Sequence, residues 1–408
     1  MREKHEVRIE KLVYGGDGLG RHHGKVVFVP YSVPGDTLLV RTGETKKSFA
    51  RAGIFQVIEP ASDRRTPLCP YFGRCGGCHW QHIEYRGQVE AKRLILEEIL
   101  CHRFAEARDL LIGMRASPAE YGYRSRARLQ IGTSQRGYDI GFFRARSHAV
   151  QDIPFCPLFQ PALNGALSAV RERLRRSTGS VAPASLEIAC SQETEKWASS
   201  SEAPAGVQLR AVLHPADEDL LFRSIRGNRY ALSPAAFFQA NDFMLTDLLD
   251  SVLEPAKQSG ARFAVELYCG VGLFTLPLAR VTERVIAVES LAAAADLCAA
   301  NASWNGLSNI RVIQADVRAW IQSEGRQSRE TADLVLLNPP RAGAGPEIMR
   351  NLASWRPSSI IYVSCDPQTL TRDVSVLREC GYRLNAVEGL DLFPQTYHFE
   401  TVVALSRS

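Results

Sequence analysis

Residues 264–274 read AVELYCGVGLF: apolar residues around one acid, then Gly270 and Gly272, then the helix-like LPLAR. This is the pattern of a buried strand that runs into a tight turn and a helix. Glycines in such a turn let the backbone approach a ligand, and in an open α/β sheet ligands bind beyond the carboxyl ends of the strands. Two glycines alone decide little, but three further stretches repeat the layout. Val285–Glu289 (VIAVE) ends an apolar strand on an acid that can accept both hydroxyls of a ribose. Residues 333–341, DLVLLNPPR, form another apolar strand, broken by Pro339 and Pro340. Residues 360–367, IIYVSCDP, run four strand formers into a turn and leave the thiol of Cys365 at the strand tip. Taken alone, Cys365 reads as one more buried small hydrophobe. With the other strand ends facing the same crevice, it reads as a group that looks into a substrate site.

The rest of the chain is long enough for further domains: at roughly 100–200 residues each, 408 residues make two to four. The net charge of +5 is modest but unevenly placed. Between residues 115 and 150 lie seven arginines (Arg115, Arg124, Arg126, Arg128, Arg136, Arg144, Arg146) against Glu120 and Asp139, so this segment alone nets +5. No apolar run approaches the roughly 20 residues of a membrane helix, and the charged start MREKHEVR is not a signal peptide. A soluble cytoplasmic protein without membrane contact is expected. In that compartment the ten cysteines read as ligands, nucleophiles or core residues before disulfides.

In residues 1–59, short alternating segments (HEVRIEKLV, KVVFVPY, DTLLVRTGE, FARAGIFQVIE) separated by glycine-rich and basic turns predict a small β-barrel. Such a barrel binds oligonucleotides or serves as a structural cap. Residues 69–82 read CPYFGRCGGCHWQH, with Cys69, Cys75 and Cys78 spaced to converge on one centre. Cys156, also followed by proline, is the leading fourth ligand, whereas Cys101 and Cys298 sit in helical patterns. Thiolate-only ligation suits an iron–sulfur cluster or zinc, and the three-plus-one spacing leans toward the cluster over the paired spacing of zinc sites. Thiols without a metal are the third reading. Residues 86–104 have helical periodicity. The arginine-rich segment after them interleaves charge with Tyr121, Tyr123, Tyr138, Phe142 and Phe143, which suits phosphate contact and base stacking; a solvated basic strand pair is the plainer alternative. Residues 191–206 read as an exposed loop, and LSPAAFFQAN (232–241) introduces the helix before the nucleoside-binding half.

Taken in order, CPYFGRCGGCHWQH, SPAAFFQAN, LYCGVGLF, NPPRAG, SCDPQTLTRD and LFPQTYHFE resemble the motifs of the S-adenosylmethionine-dependent RNA (uracil-5-)methyltransferases. Among these the chain resembles most the iron–sulfur branch that acts on 23S ribosomal RNA and begins with a TRAM barrel. The resemblance implies an α/β fold, with a Rossmann-like class I methyltransferase domain at 231–408. It also implies a TRAM-like barrel at 1–60 and a central α+β RNA-binding domain at 61–230, whose helix near 85–104 packs on the catalytic domain. It implies a 4Fe-4S cluster on Cys69, Cys75, Cys78 and Cys156, and S-adenosylmethionine contacts at Gln239, Tyr268, Glu289, Asp316 and Asn338. Many relatives carry Asp where this chain has Asn338, so a negative charge there is not required of it, and an amide still hydrogen-bonds. Ribosomal RNA is expected as partner ahead of transfer RNA, and the chain is expected to act as a monomer. A non-catalytic iron–sulfur RNA-binding protein is the reading from another class.

The chemistry itself asks for two groups. C5 of uracil is a poor nucleophile until a thiolate adds to C6 and pushes electrons into the ring; after methyl transfer a base removes the C5 proton and the thiol leaves. Cys365 is the expected nucleophile, which calls for a lowered thiol pKa. Glu400, in HFETVVAL, is the expected base by resemblance; on the residues alone it reads as a surface acid at a strand start.

Overall fold

A computed structural model describes residues 4–134, 137–176, 184–191, 197–202, 220–327 and 332–407. The first five strands, β1 (Lys4–Leu12), β2 (Gly18–His22), β3 (Lys25–Val29), β4 (Thr37–Thr45) and β5 (Phe49–Glu59), close into a barrel in the order β1-β2-β3-β5-β4. Alternate residues fill it: Val7, Ile9, Val27, Val29, Leu38 and Val40 are buried together, as the period of two requires.

The chain then forms α1 (Tyr85–Cys101), one turn α2 (Ala107–Leu110) and β6 (Leu111–Arg115). Next come β7 (Arg126–Ser134), β8 (Gly137–Phe143), β9 (Val150–Asp152), α3 (Pro161–Arg176), β10 (Ala184–Cys190) and β11 (Trp197–Glu202). These strands make an antiparallel sheet in the order β11-β10-β7-β8-β9. The apolar stripe Leu163, Leu167, Val170 and Leu174 of α3 belongs to the same core. Residues 197–202, expected as loop, are thus an edge strand, paired from Ser185↔Glu202 to Cys190↔Trp197. The serine-rich composition hides a strand that is fixed by backbone pairing rather than by propensity. Residues 192–196 and 203–219, which include the remainder of that expected loop, lie outside the described residues.

A hairpin, β12 (Leu221–Ile225) and β13 (Asn228–Leu232), leads into the C-terminal half. Beyond it come α4 (Leu245–Gln258), β14 (Phe263–Leu267), α5 (Thr275–Ala279), β15 (Arg284–Glu289), α6 (Ala292–Trp304), β16 (Ile310–Gln314) and α7 (Val317–Gln327). The chain ends with β17 (Leu334–Leu337), α8 (Pro346–Ser354), β18 (Ser359–Ser364), α9 (Pro367–Glu379), β19 (Tyr382–Leu390) and β20 (Glu400–Arg407). The eight-stranded sheet runs β16-β15-β14-β17-β18-β20-β19-β6, with β20 antiparallel to both neighbours. Alternate strand residues bury on opposite faces. Val265, Leu267, Val335, Leu337 and Tyr362 pack with α1, α8 and α9, while Ala264, Leu334, Leu336 and Ile361 pack with α4, α5 and the hairpin.

The expected helix at 86–104 is α1, and it does pack on the C-terminal half, as does β6, which extends the sheet beside β19. Lys92 anchors α1 there: its ammonium, fully buried, reaches Asp391 Oδ1 at 2.6 Å and the Phe393 carbonyl at 3.1 Å. Among the described residues no helix is long and apolar enough to cross a membrane.

Candidate active site

Parallel pairing aligns the strand ends. Leu267 lies opposite both Val288 and Leu337, and Leu337 opposite Tyr362, so Tyr268, Glu289, Asn338 and Cys365 all emerge at the carboxyl edge. The chain leaves β14 through Tyr268, a non-glycine residue held at φ 63°, then Gly270 at φ 56° and Gly272 at φ 93°. Backbone strain of this kind collects at ligand sites. A Cβ at Gly272 would lie 2.9 Å from both Cys298 Sγ and Leu276 Cδ1, so the turn tolerates no side chain there. Glu289 braces the turn: its carboxylate accepts from Gly270 N (3.0 Å), Leu291 N (2.8 Å) and Ser290 Oγ (3.2 Å). Oε1 takes two of these bonds and Oε2 one, so Oε2 keeps a lone pair for a hydroxyl. Asp316 caps α7 through Ala319 N and stands close enough to Tyr268 to help burial push that phenol up to about 12.

Gln239 comes from the SPAAFFQAN segment and is 2 % exposed, yet its amide oxygen has no protein partner. A buried orphan acceptor beside the strand ends suits a ligand donor. The segment is held from beneath by Arg126, which donates to the carbonyls of Pro234, Ala236 and Phe238. Together these groups fit a nucleoside with a charged side arm, as S-adenosylmethionine is.

The antiparallel register of β18 and β20 pairs Ser364 with Thr401, so the next residue of one strand, Cys365, and the preceding residue of the other, Glu400, stand beside each other. Glu400 is 3 % exposed, its Oε2 has no partner, and burial pushes its carboxyl up to about 8, against a smaller opposing pull from Arg341. It is not the surface acid that its strand-start position suggests. The Cys365 thiol is pushed up, to about 12, by burial first and by Glu400 next. Burial and the neighbouring acids thus work against the lowered thiol pKa that the chemistry calls for. Arg341 acts on Cys365 in the favourable direction. It lies within the quoted NPPR motif, and sequence reading gave it no role. His398, two residues before Glu400, is held neutral by burial, its pKa lowered to about 3.

Cys69, Cys75, Cys78 and Cys156 line one small cavity with Phe72, Phe142, Phe155 and Arg124. The segments meet because Cys75 pairs with Arg144 at the end of β8 and Asn164 of α3 accepts from Cys156 N. Burial raises Cys75, Cys78 and Cys156, the last to about 11. Among the described residues no group of three or more His, Cys, Asp or Glu is placed to hold a single metal ion.

The arginine-rich segment divides. Arg115 is spent on Glu388 and Asp247, Arg126 is half-buried under the Gln239 segment, and Tyr123 is buried with its hydroxyl on the Pro394 carbonyl. Arg144, Arg146 and Phe143 remain exposed. Arg136 lies outside the described residues.

A family model described as tRNA (Uracil-5-)-methyltransferase matches residues 217–408, and one described as TRAM domain matches residues 2–55. A 23S rRNA (uracil(1939)-C(5))-methyltransferase of Cronobacter sakazakii is 33% identical over 96% of this chain and 94% of its own. An RNA methyltransferase of Thermotoga maritima is 30% identical over 98% of each chain. Among solved structures, the Pyrococcus abyssi tRNA (uracil-54, C5)-methyltransferase bound to S-adenosyl-L-homocysteine has a TM-score of 0.74 at 26% identity, covering 98% of this chain and 99% of that one.

Proposed function

This chain belongs to the RNA (uracil-5-)methyltransferase family, and from that premise we propose that Cys365 and Glu400 carry the reaction on a uridine of 23S ribosomal RNA. The enzyme is an S-adenosylmethionine-dependent methyltransferase of RNA uracil. The ribosomal assignment rests on relatives of 31% and 33% identity that are named for 23S RNA. The barrel does not discriminate, since the transfer RNA enzyme of Pyrococcus abyssi covers 98% of this chain, barrel included. Transfer RNA is therefore the second reading.

The observation that carries the mechanism is the β18/β20 register, which sets a thiol beside a buried carboxylate at the ligand edge of the sheet. The Cys365 sulfur adds to C6, and the electrons of the C5–C6 double bond move toward O4. S-adenosylmethionine, when bound, would supply an electrophilic methyl group, which C5 takes as its bond to the sulfonium sulfur breaks and S-adenosylhomocysteine leaves. Glu400 then takes the C5 proton, the double bond re-forms and the C6–S bond breaks. A carboxyl pushed up to about 8 is matched to taking a proton near neutral pH, where an ordinary glutamate is too weak a base. Arg341 favours the thiolate and opposes the rise at Glu400. Gln239, Tyr268, Glu289, Asp316 and Asn338 hold the cofactor in this reading, Glu289 through the ribose hydroxyls.

The four thiols Cys69, Cys75, Cys78 and Cys156 would hold a 4Fe-4S cluster, which would tie the 69–82 segment to the antiparallel sheet. Support comes from their shared cavity, donated bonds such as Gly77 N to Cys75 Sγ at 3.4 Å, and a donor set of sulfur alone.

Cys365→Ala removes the adding sulfur and leaves the binding groups in place. It is expected to abolish methylation and the covalent adduct with 5-fluorouridine RNA while RNA and S-adenosylmethionine still bind. Appreciable methylation by this variant would remove Cys365 from the mechanism.

A further inference from the structure

The connection between β1 and β2, VYGGD at 13–17, is closed by two backbone bonds, Val13 N to the Asp17 carbonyl and Gly16 N to the Val13 carbonyl, both 3.0 Å. It reaches out of the barrel into the C-terminal half. Trp80 Nε1 donates to the Gly16 carbonyl at 3.0 Å, and Gly16, at φ 92°, fits so closely that a Cβ would stand 3.0 Å from Tyr397. The Trp80 segment is tied in turn to the catalytic side, since His79 N and Trp80 N both donate to the Gln395 carbonyl, at 2.9 and 3.0 Å. The loop is thus clamped, and what it presents is Tyr14.

Tyr14 touches both chemical segments. Its hydroxyl donates to Asp366 Oδ2 at 3.1 Å, one residue from Cys365. Asp366 Oδ1 caps α9 through Gln368 N (2.9 Å) and Thr369 N (3.1 Å), so the two oxygens divide the work of fixing the turn. The ring of Tyr14 meets Tyr397 edge-on at 5.4 Å and Phe399 at 6.3 Å, in the segment that ends on Glu400. Burial and the neighbouring Asp366 both push the phenol up, so it stays a donor.

We propose that Tyr14 is a positioning residue of the methyl-transfer site, a barrel side chain that sets the Cys365 turn against the Glu400 strand. The proposal rests on the roles given above to Cys365 and Glu400. It gives the barrel a part in the chemistry as well as any part in holding RNA, and it accounts for a loop whose Gly16 is fitted against Tyr397, His79 and Trp80.

The test is steady-state and single-turnover kinetics on the full-length protein with an RNA substrate. Tyr14→Phe keeps the ring and loses the bond to Asp366, so kcat should fall about tenfold, the worth of one well-placed hydrogen bond. KM for RNA and for S-adenosylmethionine should stay within about twofold, and the rate of adduct formation with 5-fluorouridine RNA should fall in step with kcat. Tyr14→Ala should fall further. Asp366→Ser, whose hydroxyl can still cap the helix but is too short to reach Tyr14, should cost about the same as Tyr14→Phe, and the double variant no more than either single one. An unchanged kcat in Tyr14→Phe, a loss confined to KM for RNA, or additive losses in the double variant would overturn the proposal. Cys365→Ala in the same assay keeps the two ideas apart: an adduct formed without Cys365 refutes the nucleophile, whereas the kcat of Tyr14→Phe judges the tyrosine.

Discussion

Glu400 is a buried carboxyl with one oxygen unpartnered, and that combination makes its proton the most informative in the molecule. Its folded pKa of about 8 stands above the ordinary value of 4.5 because burial penalises the charge. As the proposed base it must be ionised, and it acts after methyl transfer, so kcat should climb as pH rises through about 8. The stability linkage runs the other way. The unfolded glutamate ionises near 4.5 while the folded one holds its proton to about 8, so stability present below 4.5 is lost as pH rises through that window. Glu400→Gln should flatten this loss in a series of denaturant titrations. The same variant can still add Cys365 and accept the methyl group, but it cannot take the C5 proton. It should accumulate a methylated enzyme–RNA adduct that carries label from the methyl donor, with turnover down about a hundredfold to ten-thousandfold. Release of 5-methyluridine at near wild-type rate with no adduct would return Glu400 to a structural role. Cys365 was legible as a strand-tip thiol from IIYVSCDP alone. The burial of Glu400 was not, because it depends on a register between strands that the chain order cannot display.

At the scale of elements, the joint between α1 and the β19–β20 connection carries the largest electrostatic stake. Lys92 and Asp391 are both fully buried and 299 residues apart, so no local pattern announces the pair. Lys92→Ala would leave the Asp391 carboxylate buried and uncompensated, a loss of about 3–5 kcal/mol in chemical denaturation. A change below about 1 kcal/mol would mean that water or another cation serves Asp391. The strands of the central sheet and helix α1 were readable because apolar runs and turn residues mark them. β6 and β11 were not, since each is an edge strand fixed by its neighbour. Arginine and tyrosine in the 115–150 segment read as one RNA surface, yet Arg126 and Tyr123 turned inward, because a basic or aromatic residue at an internal joint looks the same in sequence as one in solvent. The cysteine elements make a separate prediction. Protein purified without oxygen should hold iron and acid-labile sulfide near four of each, and Cys156→Ser should lose both. Stoichiometric zinc without sulfide would contradict the cluster.

For the whole molecule, the barrel, the cysteine segment and the C-terminal sheet meet beside Cys365 and Glu400. The Gln395 carbonyl receives the segment between Cys78 and Trp80, the Lys92 anchor holds α1 against the loop that leads to Glu400, and Tyr14 arrives from the barrel. In the proposed reading that convergence suits a substrate whose target base must leave a folded RNA to reach Cys365, at a cost in unstacking repaid by contacts elsewhere. The exposed Arg144, Arg146 and Phe143 lie on the rim of the cleft that runs between Gly15–Asp17, the cysteine segment and Tyr397, where flanking phosphates and bases would be met. The choice of RNA is the central claim, and mass mapping of 5-methyluridine in ribosomal and transfer RNA, from cells with and without this gene, tests it most directly. The account predicts one 5-methyluridine lost from 23S ribosomal RNA, restored by the wild-type gene and not by Cys365→Ala. Loss confined to transfer RNA, or no loss of 5-methyluridine in either RNA, would contradict it.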